Sequence, residues 1–196
     1  MKTRNWGQRL SSWVRKQNLG LVGCIVALLV LSIVYFPAAT GIYQEKGVSP
    51  DELLSRGEAR ISSRMLQKEL GMNPGLADQV ANSVVRYSRA SNIPWELVVA
   101  VMKVESSGSL KAVSPRGAKG LMQVMPFWTT ELGADPRAIF EPETNVWLGI
   151  SVLKHYIRRY KALDVALAAY NGSLGSSEYP AKVLKTYQEL TAYQLN

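Results

Sequence analysis

The sequence predicts a mainly α-helical protein in which a folded domain follows a single N-terminal membrane helix. Three features predict it. Apolar residues recur at steps of three and four through one segment after another. No extended run alternates apolar and polar residues as a half-buried strand does. Leu19 to Phe36 carries no charge over 18 residues.

That uncharged run is the first element. As a helix it would be about 27 Å long, close to the hydrocarbon thickness of a bilayer. Lys2, Arg4, Arg9, Arg15 and Lys16 precede it, and Trp13, Tyr35 and Phe36 suit the two interfaces. The basic tail 1–18 is therefore expected in the cytoplasm and everything after Pro37 beyond the membrane. A cleaved signal peptide is the competing reading, but the run is long for one and no A-x-A site follows. Leu21-Val22-Gly23-Cys24 has the letters of a lipoprotein signal, yet nearly all the apolar residues follow the cysteine. Cys24 is the only cysteine, so the exported part has no disulfide, no thiol nucleophile and no cysteine-held zinc. Of the formal charge of +8, five cations stand before the first acid, Glu45, which leaves +3 for the rest. A nucleic-acid partner would want its cations clustered on the folded domain, so none is expected.

Residues 37–75 form a connector. Pro37, Gly41, Gly47 and Pro50 interrupt regular structure, and Ser49 or Asp51 can cap a helix over 51–70. Leu53, Leu54, Ile61, Met65, Leu66 and Leu70 lie along it among many charges. Packing on the domain, meeting a partner in the envelope and serving as a stalk all remain open. Gly71 and Pro74 end it.

The domain at 76–196 then runs as successive helices. Val80, Val84 and Tyr87 mark the first, and Pro94 suits the first position of the next, with Asn92 or Ser91 as its cap. Pro126 starts a short helix that stops at Gly133; Trp147, Ile150, Leu153, Ile157 and Tyr160 mark a longer one after Thr144. An alanine-rich segment runs from Asp164 to Tyr170, and Pro180 opens the last helix, with Val183, Leu184, Tyr187 and Leu190.

The chemistry is expected around the helix from Pro94. Leu97, Val98, Val101, Met102 and Glu105 share one face, so a carboxylate lies on the stripe that should be buried. Desolvation and the negative end of the helix dipole both favour its protonated form. A carboxylic acid that keeps its proton near neutrality is what general acid catalysis needs. Gly108, Pro115, Gly117 and Gly120 then give a loop that turns sharply, and Gln123 stands alone among Leu121, Met122, Val124 and Met125. One amide in an apolar wall is suited to orienting a polar ligand.

Glu105-Ser106, Ser114-Pro115-Arg116-Gly117-Ala118, Gly120-Leu121-Met122-Gln123-Val124-Met125-Pro126 and Ala169-Tyr170-Asn171 resemble, in order and spacing, the motifs of the soluble-type (SLT) lytic transglycosylases. The resemblance covers about residues 76–190. It implies a lysozyme-like domain with a groove beside the central helix and peptidoglycan as substrate. Glu105 would be the catalytic acid and then the base, cleaving between N-acetylmuramic acid and N-acetylglucosamine to leave a 1,6-anhydro end. Ser114 would bond the sugar near its acetamido group, Gln123 and Met125 would line the site, Tyr170 would orient Glu105 or bind the sugar, and Asn171 would hold the Tyr170 loop. The family pattern has a second glycine and often a proline after the Asn171 motif, where this chain has Gly172-Ser173-Leu174-Gly175. Together with the N-terminal span, the resemblance implies a domain in the periplasm anchored to the inner membrane, with envelope machinery reached through residues 37–75.

Only Glu105 among the carboxylates lies in one of these motifs; Glu131, Asp135, Glu141 and Glu143 fall in a polar stretch and are expected in solvent. His155 is the only histidine, so neither a metal ion nor a Cys-His pair is expected, and no cofactor is implied. Ser151 and Lys154 have the spacing of a penicillin-binding nucleophile motif without its partners and sit in a helical pattern. A lysozyme-type hydrolase on the same fold and a catalytically idle wall-binding scaffold are the alternative functions.

Overall fold

Twelve residues from Trp95 to Ser106 form the helix at the centre of the molecule, and Leu97 through Met102 are buried without interruption. An apolar helix with no solvated face belongs inside, so the single stripe expected from spacing understates its burial. A computed structural model describes residues 49–193. The uncharged stretch 19–36 and its basic tail lie outside the described residues. Among the described residues no helix is long and apolar enough to cross a membrane.

The described helices are α1 (Pro50–Leu70), α2 (Pro74–Ser91), α3 (Trp95–Ser106), α4 (Phe127–Glu131), α5 (Pro142–Tyr160), α6 (Leu163–Asn171) and α7 (Glu178–Tyr193), with a 3₁₀ turn at Pro136–Phe140 before α5. Strand structure among the described residues is limited to isolated bridges that join Lys119 to Val113 and to Val124. α3 packs on α1, α2 and α7; α5 packs on α2 and α6; α6 in turn packs on α7.

Several boundaries differ from the sequence expectation for local reasons. Asn92 does not cap α3: it takes the left-handed conformation (φ 54°) and closes α2, which asparagine tolerates well. Pro94 is the residue before α3, in extended backbone. α7 starts two residues ahead of Pro180, as a proline is accepted in a first helical turn, where its missing N–H has no intrahelical partner to lose. The acids expected in solvent are partly engaged: Asp135 accepts from the Arg137 backbone N–H at 2.9 Å, and Glu143 accepts from Arg86 at 3.0 Å and Tyr87 at 2.8 Å.

The loop between α3 and α4 is fixed by Asn145 of α5, whose side chain is fully buried. It accepts from the Met122 N–H at 2.9 Å and donates to the carbonyls of Lys119 (3.0 Å) and Ile139 (2.7 Å). Gly120 is needed beside it. Its φ is +79°, and a Cβ there would stand 2.7 Å from the Asn145 Cγ. Gly149, a turn further along α5, lets Met122 seat against the helix, since a Cβ would meet the Met122 Cβ at 2.6 Å.

Asn145→Ala strips the Ile139 carbonyl and the Met122 N–H of their partner, leaving the Lys119 carbonyl only the Val124 N–H, and should cost about 3 kcal/mol, lowering Tm by roughly 10 °C. Thermal unfolding followed by circular dichroism checks this. A Tm within about 2 °C of the parent would contradict the role given to Asn145.

Candidate active site

α3 ends where the site begins. The Ser106 hydroxyl donates to the Leu121 carbonyl at 2.7 Å and accepts from the Gly108 N–H at 3.2 Å, so the last helical turn is stitched to the loop on its far side. Glu105, one residue earlier, is turned into a cavity of about 400 Å³. Ser114, Pro115, Arg116, Ala118, Gln123, Met125, Tyr170 and Asn171 line the rest of it. The structure thus brings Glu105, Ser114, Gln123, Met125, Tyr170 and Asn171 to one place from three parts of the chain.

Each polar group offers a ligand only what the fold leaves over. Ser114 Oγ accepts from the Ala118 N–H at 3.0 Å, which leaves its own O–H to donate. Gln123 sits at a left-handed backbone position (φ 49°), and its amide NH₂ donates to the carbonyls of Ala112 (3.2 Å) and Gly120 (3.0 Å). Both of its N–H groups are engaged, so Gln123 presents its carbonyl oxygen, an acceptor. Met125 supplies apolar wall.

Tyr170, expected to orient Glu105 or bind the sugar, lines the cavity. Its hydroxyl donates to the Met122 carbonyl at 2.7 Å and ties α6 to the loop. The phenol that reaches Glu105 is Tyr179, in the first turn of α7, whose hydroxyl donates to Oε1 at 2.6 Å. Sequence reasoning missed Tyr179, because one aromatic ahead of Pro180 and 74 residues from Glu105 shows no pattern of its own. Asn171, expected to hold the Tyr170 loop, lines the cavity beside Glu105 and favours its ionised form.

Burial raises the Glu105 carboxyl above the ordinary carboxylate range, and the hydrogen bonds from Tyr179 and Asn171 pull back against it. Burial dominates. The Tyr179 and Tyr170 phenols are both pushed far up, chiefly by their own burial and then by the neighbouring Glu105 charge. Both therefore remain neutral donors near pH 7. Glu105 is the one carboxylate among the residues that line the cavity.

A carboxyl whose folded pKa lies above its unfolded value binds more protons when folded, so stability falls as pH rises through that interval. Glu105→Gln removes the effect and keeps the shape. The variant should melt above the parent at pH 7, and the difference should vanish below about pH 4, where both states of the parent carry the proton. Melting curves across this range check it; a variant less stable at pH 7 would contradict a buried, proton-retaining Glu105.

The family model described as "Transglycosylase SLT domain" matches residues 82–190. A transglycosylase of Enterobacteria phage PRD1 is 35% identical over 101 residues, covering 48% of this chain and 37% of that protein. The soluble lytic murein transglycosylase of Salmonella typhimurium is 34% identical over 99 residues, covering 46% of this chain and 15% of that protein. The match thus spans well under half the length of these relatives. Among solved structures, the 70-kDa soluble lytic transglycosylase in complex with bulgecin A superposes with a TM-score of 0.51 at 22% identity, over 77% of this chain and 32% of that one, which shows a shared fold. With the family model covering more than half of its 196 residues, the chain belongs to the transglycosylase SLT domain family.

Proposed function

We propose that the chain is a peptidoglycan lytic transglycosylase that cleaves the MurNAc-β-1,4-GlcNAc bond and leaves a 1,6-anhydroMurNAc end, with Glu105 as acid and then base. The observation that carries this reading is that Glu105 is the one carboxylate lining the cavity among the described residues. Hydrolysis by a carboxylate pair needs a second acid on the opposite face of the sugar. A substrate that brings its own neighbouring group does not.

Protonated Glu105 gives its proton to the glycosidic oxygen as the C1–O bond breaks, and the MurNAc acetamido carbonyl stabilises the cation at C1. The ionised Glu105 then takes the proton of the C6 hydroxyl of the same sugar as that oxygen bonds to C1. Glu105 ends as it began and water is not consumed. The donor left on Ser114 and the acceptor left on Gln123 complement the carbonyl and N–H of an acetamido group. Tyr179 and Asn171 keep the carboxyl aimed through both steps, and their hydrogen bonds strengthen as it ionises. The names of the relatives, lytic murein transglycosylases, support the substrate class. In the same proposal residues 19–36 cross the inner membrane once, the domain stands in the periplasm, and residues 37–75 face envelope machinery.

Glu105→Gln should lower wall cleavage on the order of 10²- to 10⁴-fold while leaving binding to sacculi nearly unchanged. Mass spectrometry of the digested wall reads the product. Anhydro ends are expected. Reducing muramic acid ends would make the enzyme a lysozyme-type hydrolase, and no cleavage by the parent would leave a wall-binding scaffold.

A further inference from the structure

One face of α1 carries three exposed aliphatic side chains. Leu53, Leu54 and Ile61 are 52%, 64% and 46% exposed. Arg56, Arg60, Arg64 and Lys68 are exposed beside them. At 3.6 residues per turn these seven positions fall within an arc of about 160°. The four acids of α1, Asp51, Glu52, Glu58 and Glu69, all lie outside that arc. Three of them hold the helix to the domain: Asp51 and Glu58 pair with Arg89 of α2, and Glu69 with Lys103 of α3 at 2.7 Å. Glu52 pairs with Arg56 along the helix at 2.7 Å. Arg60 and Arg64 stand outside these pairs. α1 is therefore sorted: its acids lie outside the arc that carries the exposed cations and the three aliphatics.

We propose that this face of α1 lies on the surface of a bilayer containing anionic phospholipid. Aliphatic side chains can enter the boundary between headgroups and acyl chains while long cationic side chains rise to the phosphates. Charge decides against a second copy, because two such faces set together would bring four cations against four. Chain length favours the bilayer. Residues 37–49 are 13 residues, which reach at most about 45 Å from the end of the uncharged run to the start of α1. The proposal rests on the bilayer attachment read above but not on the cleavage chemistry, and it makes α1 a fixed shelf rather than a free stalk.

The full chain with Cys24→Ser and Ile61→Cys, labelled with an environment-sensitive fluorophore, is reconstituted into phosphatidylglycerol–phosphatidylcholine vesicles carrying a nitroxide lipid quencher and recovered by flotation. A Gln188→Cys chain on α7 is the control. The label at 61 should shift to the blue and lose most of its emission to the quencher, the label at 188 should do neither, and Arg60→Glu with Arg64→Glu should abolish both effects. A floated chain whose label at 61 behaves like that at 188 overturns the proposal. So does equal quenching in vesicles of phosphatidylcholine alone, or an unquenched label whose energy transfer reports a second copy. A chain that fails to float overturns the bilayer attachment as well, and wall cleavage by the same preparation is read separately.

Discussion

The hydrogen bond from Tyr179 to Glu105, 2.6 Å long, joins the first turn of α7 to the last turn of α3 and sets what the carboxyl can do. Burial alone favours the protonated form. A phenol aimed at one oxygen and the neighbouring Asn171 favour the ionised form and draw the carboxyl back toward the ordinary carboxylate range. The phenol is a lasting donor because its own environment pushes its titration far above the physiological range. Desolvation and hydrogen bonding thus oppose each other on a single oxygen pair, and a group that serves as acid and base in turn needs that compromise.

The loop opposite is held with matching firmness. Asn145 clamps it from α5 through three hydrogen bonds, Ser106 binds it to the end of α3, and Tyr170 binds it to α6. Gln123 accepts a backbone conformation that costs a non-glycine residue something, and its engaged amide nitrogen turns the remaining oxygen toward the cavity. Pre-organised donors and acceptors lose little freedom when a ligand arrives, which is how such groups gain strength in a site. Beneath the loop, Met122 seats against Gly149 of α5.

Much of this was legible in the chain. The run from Leu97 to Met102 ending near Glu105, the glycines of the following loop and the lone Gln123 point to a buried acid facing a shaped wall, and their order carries the family resemblance. Partners distant in sequence were not. Tyr179 looks like any helix-start aromatic until α7 packs on α3, and Asn145 looks like a surface polar residue in the first turn of α5 until it is seen fully buried. Periodicity reports which face of a helix is buried but not what it meets. For the same reason the Met122 carbonyl that Tyr170 reaches left no mark in the sequence.

The measurement that bears most directly on the central claim is the titration of Glu105 itself, followed by its carboxyl band in infrared difference spectra between the parent and Glu105→Gln. The account predicts that the protonated band persists well above pH 4.3, the ordinary glutamate midpoint of about 4.3, and persists to higher pH still in a Tyr179→Phe background. A band that disappears at the ordinary midpoint, unmoved by Tyr179→Phe, would contradict it.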